Sequence, residues 1–372
     1  MTNSSPSNDP RIAVLGTGRQ LHAFSAYLGS NGYDVSVVSR EPEIADAIAT
    51  EGGIAITGLD TDFVEIDPEN ATTDVAAGIR GRDLVIVADL AADHEYFFEE
   101  LSGHLEDGQT IFIGTDNYGC LKAHNLLDRS AVDIRIAGSS QAQFTGRSHE
   151  PGTVNITGMK SELPIAAIPA TDTRAAQDLL NPLFDPDTHY REARNVFELN
   201  LSNLNVAAHT VIGMFNLTHM DRGDDWLFYS EGITPAVERL FEAFDEERLE
   251  LASKLDVDTD PIPTIVDNMY DEVEGETLME LLGESPIHRE SAGPKTLEYR
   301  YITEDVPYGL VPLASLCHEI GISCPTFDAL VHLYSVGTGR AFREEGTTVD
   351  DLGLQGLSAA EMLSLVEGKS GE

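Results

Sequence analysis

Apolar residues recur along the chain in two regimes: short apolar runs alternating with helix-period segments up to about residue 190, and almost purely helical periodicity from about Arg191 onward. The first regime opens with Ile12-Ala13-Val14-Leu15, a run of the kind buried on both faces of a parallel sheet, and it closes in Gly16-Thr17-Gly18. Leu21, Phe24, Ala26, Tyr27 and Leu28 then give a helical apolar face that Gly29 and Gly32 close, and Asp34–Ser39 reads as a β-branched second strand. Strand, glycine turn, helix and strand make a βαβ unit.

The alternation continues with expected helices at Pro42–Thr50, Thr73–Ile79, Asp93–Leu101 and Cys120–Leu127. Strands are expected near Ile54–Thr57, Phe63–Ile66, Asp83–Ala88, Thr110–Ile113 and Ile134–Ala137. Two further β-rich pieces, Thr153–Thr157 and Leu163–Ile168, are expected to extend the sheet in antiparallel fashion, and a helix over Thr171–Leu180 follows. The second regime predicts helices at Ala193–Met214, Thr234–Leu255, Val306–Ile320, Thr326–Ser335 and Ser358–Val366. The fold class is therefore an α/β N-terminal, Rossmann-like doubly wound sheet followed by an all-α C-terminal domain. A disordered leader is expected over 1–10, the α/β domain over 11–185 and the helical domain over 186–372, with the Pro/Asp-rich stretch 179–190 as the junction.

Glycine at 16 allows a tight turn, and glycine at 18 lets the backbone approach a pyrophosphate at the positive end of the helix, so the loop Gly16, Thr17, Gly18, Arg19, Gln20, Leu21 is the candidate dinucleotide cradle. Leu21 stands where the full fingerprint has its third glycine. The second strand ends in Ser39-Arg40 rather than in an acidic residue. Arg40 has no acceptor for a ribose hydroxyl but matches a 2′-phosphate, and Ser39 can donate a further hydrogen bond, so NADP(H) is favoured over NAD(H).

Charge changes the picture of partners. Of 372 residues, 64 are acidic and 23 basic, a formal net charge of −41, with five lysines to eighteen arginines. Nucleic acid and anionic membranes are excluded as expected partners. The acids are spread along the chain, and such a surface repels itself unless cations screen it, which points to a salt-rich cytoplasm, as in a halophile. Cys120, Cys317 and Cys324 show no C-x-x-C spacing, so reduced thiols in a cytoplasmic protein are expected. No H-E-x-x-H or paired carboxylate suggests a metal.

In the helical region, ELNLSNLNVAAHTVIGMFN carries Asn203, Asn205, His209 and Asn216 on an otherwise apolar helix, with His209 one turn beyond Asn205. EYRYITEDVPYGLVPLASL places Arg300, able to bind a carboxylate bidentately, and Asp305, able to cap the next helix. His318 and His332, on apolar helices, read as structural.

NLSNLNVAAH (200–209), WLFYSEGITPAVERLFEAFDEER (226–248) and RYITEDVPYGLVPLASLCHEIGISCPTFDALVHL (300–333) resemble the octopine/nopaline dehydrogenases, the opine dehydrogenase family. The resemblance implies a 6-phosphogluconate dehydrogenase C-terminal-like helical domain and reductive condensation of a 2-oxo acid with the amine of an amino acid. It also implies small-molecule partners and a monomer or homodimer. On it His209 matches the catalytic histidine, Asp305 its carboxylate partner and Arg300 the arginine that holds substrate carboxylate. His94 and Arg147 match family positions near the substrate, with Gln141 where the family has an acidic residue. Two other readings remain open on the residues alone: a 2-oxo acid reductase of ketopantoate reductase or glycerol-3-phosphate dehydrogenase type, and a non-catalytic nucleotide sensor.

Overall fold

The computed structural model describes residues 9–148, 150–269, 275, 277–285 and 288–369, so residues 1–8 of the expected leader lie outside the described residues. The chain divides into two units, Met1–Ala193 and Arg194–Glu372.

In the first unit, β1 (Ile12–Leu15), α1 (Arg19–Ser30), β2 (Val35–Val38) and α2 (Pro42–Glu51) are followed by β3 (Gly53–Thr57), β4 (Phe63–Glu65), β5 (Ala71–Thr72) and α3 (Val75–Ile79). Then come β6 (Leu84–Val87), α4 (His94–Leu101), β7 (Thr110–Ile113), α5 (Gly119–Leu126) and β8 (Arg135–Ser139). The unit ends with β9 (Phe144–Arg147), β10 (Thr153–Met159), β11 (Glu162–Ala167), α6 (Thr173–Leu180) and β12 (His189–Glu192). The main sheet has the order β12-β11-β8-β7-β6-β1-β2-β5. From β5 to β8 every pairing is parallel, and the order reverses between β1 and β6, so the glycine loop after β1 opens at a topological switch point. Strands β1, β2, β6 and β7 are buried along their whole length, their apolar runs interrupted only by Ser36 and Thr110.

The β-rich pieces part company. β11 does extend the main sheet antiparallel to β8. β10 instead joins a second, four-stranded sheet of order β4-β3-β10-β9, which also takes the strands expected near 54–57 and 63–66. The reason lies in their one-sided burial: β3 alternates from Ile54 onward, with Ile54 and Ile56 inward and Ala55 and Thr57 outward, so these strands cover α1 with one face and meet solvent with the other. Phe24 and Tyr27 of α1 fasten that cover. Phe24 meets Phe144 of β9 edge-on at 5.0 Å, and Tyr27 meets the same ring, tilted, at 5.4 Å, pairs worth about 0.5–1.5 kcal/mol each beyond their buried area.

The boundary falls after Ala193 rather than after 185. The stretch 179–190 is no linker, because His189–Glu192 pairs in parallel with Glu162–Ile165 as the edge strand β12, and Tyr190 is 1% exposed in the core.

The second unit is helical: α7 (Val196–Leu201), α8 (Leu204–Phe215), α9 (Leu217–Arg222), α10 (Pro235–Lys254), α11 (Ile262–Met269), α12 (Arg300–Thr303), α13 (Val311–Glu319), α14 (Pro325–Thr338), α15 (Phe342–Glu345) and α16 (Ala359–Glu367). The single helix expected over Ala193–Met214 is broken at Ser202-Asn203. Asn195 caps the start of α7 through the amides of Phe197 and Glu198, and Asn203 caps the start of α8 through Asn205 N–H at 3.1 Å, so each asparagine opens its own helix. The expected Val306–Ile320 helix begins as a π-helical turn, Val306–Leu310, before α13. Thr234 and Ser358 cap α10 and α16, the latter in a full capping box with Glu361.

Candidate active site

The glycine loop is shaped by close approach. A Cβ on Gly16 would lie 2.6 Å from the carbonyl oxygen of Ala88 at the end of β6, so only glycine lets the turn cross the sheet there. Gly18 is different: it is the extended N-cap of α1, a Cβ there would meet nothing within 4 Å, and no side chain caps the helix. No acidic residue stands in the first turn. An open cradle in front of uncapped amides at a helix start fits a pyrophosphate. The side chains that follow face elsewhere. Arg19 donates to Gly146 O at 3.1 Å and Gln20 to Phe144 O at 2.8 Å, both on β9, and Leu21 is fully buried, so these three offer backbone rather than side chain to a nucleotide. Arg147 is exposed next to Gly146 on the small sheet.

At the end of β2, Ser39 is buried and its Oγ accepts from Glu41 N–H at 3.3 Å, which closes the turn instead of pointing outward. Arg40 is engaged by acids. Its Nη1 lies 2.6 Å from Asp93 Oδ1 and its Nε 3.5 Å from Glu41, with the guanidinium 5.5 Å from the Tyr96 ring centroid. Asp89, which follows β6 and which sequence reasoning missed, accepts from Thr17 Oγ1 at 2.9 Å. Burial pushes its carboxyl up to about 6, against the Leu90 amide and with the help of Asp93. Its signal was positional: an acid at the carboxyl end of the strand across the switch point.

His94 is 1% exposed at the start of α4, and neither ring nitrogen meets a partner in good hydrogen-bond geometry, the Asp89 backbone being its nearest polar neighbour by effect. Burial, then the charge of Lys122, pulls its pKa down to about 3. It is neutral at physiological pH, and in this structure it is packed against Phe98 rather than presented to a ligand. Nearby, Asn117 and Tyr118 adopt positive φ of 40° and 62° in the turn after β7, a costly geometry that concentrates at functional loops.

In the helical unit the structure joins what the chain separates by 96 positions. His209 Nδ1 lies 2.7 Å from Asp305 Oδ2, the two residues being 3% and 4% exposed. Asp305 stands at the N-cap position of the π-helical turn but makes no capping bond, because its carboxylate is turned to the histidine. The approach depends on Gly309, where a Cβ would lie 2.5 Å from Val206 Cγ2 of α8. Tyr301, also missed although it adjoins Arg300, stacks on the His209 ring at 3.6 Å and 16°, and Phe228 closes on both rings at 5.9 and 4.7 Å. Arg300 continues the stack, its guanidinium 5.6 Å from the Tyr301 centroid and 3.7 Å from Glu304, with 38% of the side chain exposed. Asn205 is partly exposed one turn before His209. Such an arrangement can hold one imidazole tautomer, stabilise its protonated form and present a guanidinium beside it.

His318, Cys324 and Asp328 also bring three ligand-type atoms within 4.8 Å of one another. The Asp328 carboxylate is already shared between His318, at 3.1 Å, and Arg343, so the group reads as an ion-pair cluster.

The family profile described as NAD/NADP octopine/nopaline dehydrogenase, alpha-helical domain, matches residues 192–338. An opine dehydrogenase from Arthrobacter sp. strain 1C is 32% identical over 367 residues, covering 95% of this chain and 98% of that protein. An octopine dehydrogenase solved with NADH and agmatine shares the fold with a TM-score of 0.81 at 18% identity, over 98% of this chain and 99% of that one. A yersinopine dehydrogenase with NADP+ bound does so at 0.73 and 13% identity, over 97% and 98%. Among the described residues no helix is long and apolar enough to cross a membrane. With that identity along nearly its whole length, the chain belongs to the octopine/nopaline dehydrogenase family, NAD(P)-dependent oxidoreductases that reductively condense a 2-oxo acid with the amine of an amino acid.

Proposed function

We propose that in this chain His209 is the acid/base of that condensation, Asp305 its anchor and Arg300 the grip on the oxo-acid carboxylate, with NADP(H) as the favoured coenzyme. The observation that carries the reading is the buried His209–Asp305 pair, stacked on Tyr301 beside a partly exposed arginine. With Nδ1–H donated to the carboxylate, proton exchange falls to Nε2. His209 then takes a proton from the amine as it adds to the oxo carbon and passes it to the oxygen, giving the carbinolamine hydroxyl, and a second proton carried the same way from nitrogen lets that hydroxyl leave as water, while Asp305 stabilises the imidazolium in between. Arg300 fixes the oxo acid through its carboxylate, so that the carbon to be reduced is held in one orientation.

The coenzyme, when bound, supplies hydride to the carbon of the C=N bond. The backbone of Gly16, Thr17 and Gly18 and the start of α1 would hold its pyrophosphate, and Arg40 its 2′-phosphate. Asn205 and Arg147 are secondary candidates for substrate contact, whereas the buried His94 ring is turned away from that role. The acidic surface supports a working environment of salt-rich cytoplasm.

The test is a matrix of 2-oxo acids against amino acids, with NADPH or NADH consumption followed in molar KCl. Oxidation of coenzyme only when both substrates are present supports the reading. Turnover with an oxo acid and no amine would replace it with a simple reductase, and coenzyme binding with no turnover on any pair would replace it with a sensor.

A further inference from the structure

The arginine assigned to the 2′-phosphate is not an open receptor. One guanidinium faces three carboxylates: Asp93 at 2.6 Å, Glu41 at 3.5 Å, and Asp89, close enough to act on its charge. The Arg40 and Asp93 side chains are 32% and 18% exposed, so their pair is partly shielded from water and from salt. Tyr96 lies against the guanidinium from the same helix that Asp93 precedes. Asp93 sits at the N-cap position of α4 yet makes no capping hydrogen bond, so its carboxylate serves the arginine rather than the helix.

We propose that Asp93 is a specificity-determining residue that sets the choice between NADP(H) and NAD(H) by holding Arg40. The inference rests on the reading above that Arg40 meets the 2′-phosphate. A coenzyme without that phosphate leaves the Arg40–Asp93 pair closed. A coenzyme with it obtains the guanidinium only by displacing the Asp93 carboxylate, which then stands as an uncompensated like charge beside the phosphate. Asp93 therefore lowers affinity for NADP(H) selectively and brings the two coenzymes closer together than Arg40 alone would. The effect lies in binding, so it enters KM for the coenzyme and leaves kcat alone.

The experiment is a mutant cycle on coenzyme preference, read as the ratio of kcat/KM for NADPH to that for NADH and as the ratio of Kd values from quenching titrations. Asp93→Asn is expected to raise the ratio roughly tenfold, through a lower KM for NADPH at unchanged kcat. Asp93→Glu, which keeps the charge, is expected to stay near the wild-type ratio. Arg40→Ala lowers the ratio, and Asp93→Asn added to it raises it by distinctly less than in the wild-type background, because the competition for the guanidinium is gone and only the bare repulsion remains. If Arg40→Ala lowers the ratio but Asp93→Asn leaves it unchanged, the proposal for Asp93 is overturned while Arg40 keeps its role. Should Arg40→Ala itself leave the ratio unchanged, the reading of Arg40 fails and the Asp93 proposal goes with it. An equal rise from Asp93→Asn with and without Arg40 would mean long-range repulsion, which also overturns the proposal. If Asp93→Asn does not fold, Asp93→Ser carries the same comparison.

Discussion

Acidification should act on His94 in a way that can be isolated. The ring is 1% exposed, and its pKa is pulled from 6.5 to about 3 by burial and by Lys122, against the opposing pull of the Asp89 backbone. A histidine whose folded pKa is depressed contributes stability that is present above its unfolded pKa of 6.5 and is lost as pH falls toward 3. Each pH unit in that window is worth about 1.4 kcal/mol, so between pH 6.5 and 4 the wild-type chain is expected to lose about 3 kcal/mol relative to His94→Leu, which has nothing to protonate. Asp89 works in the opposite sense. Its carboxyl, raised from 3.8 to about 6, contributes stability that is lost as pH rises through about 6, so stability is regained on acidification over much of the same window. The two neighbours offset each other in the wild type, and Asp89→Asn should expose the loss due to His94 as His94→Leu exposes the gain due to Asp89. The assay is urea unfolding in constant molar KCl from pH 8 to pH 4, read by amide exchange in β6 and β7. Trp226, in the helical unit, gives an internal control by fluorescence. Parallel loss of stability in wild type and His94→Leu between pH 6.5 and 4 would refute the reasoning. A confirmed result also removes His94 as a rival acid/base, since a ring that stays neutral down to pH 4 cannot deliver a proton near neutrality.

Three further outcomes are expected. With a confirmed substrate pair, His209→Ala should lose roughly 100- to 10,000-fold in kcat with little change in coenzyme Kd, Asp305→Asn should also lose activity, and Arg300→Lys should chiefly raise KM for the oxo acid; near-full turnover of His209→Ala would return that residue to the core. Gly309→Ala forces a Cβ to within 2.5 Å of Val206, and should cost about 1–3 kcal/mol in stability together with activity, measured by urea unfolding and steady-state rates; an unaffected kcat would show that α8 and the π-helical turn need not approach so closely. The melting temperature should rise from dilute buffer to molar KCl as cations screen the −41 charge, and a steady fall would remove the halophilic interpretation.

What the sequence determined alone is what depends on neighbours along the chain. The βαβ start at Ile12, the glycine loop, the buried runs of β6 and β7, and the helix starts at Thr234 and Ser358 follow from period and turn chemistry spanning a few residues. Family motifs added His209, Asp305 and Arg300, which no local period could pair across 96 residues. Tertiary structure decided the rest. Alternation marked β3, β4 and β10 as strands but carried nothing about their partners, and only the need to cover α1 sends them to a second sheet. Asparagines at 195 and 203 could equally have sat within one helix until packing made them caps. Arg40 looked like an open cation because its nearest carboxylate, Asp93, is 53 positions away, and Asp305 looked like a cap because the histidine that claims it lies on another helix. Charge pairing in a folded chain is set by distance through space, which grows legible only once the elements have packed.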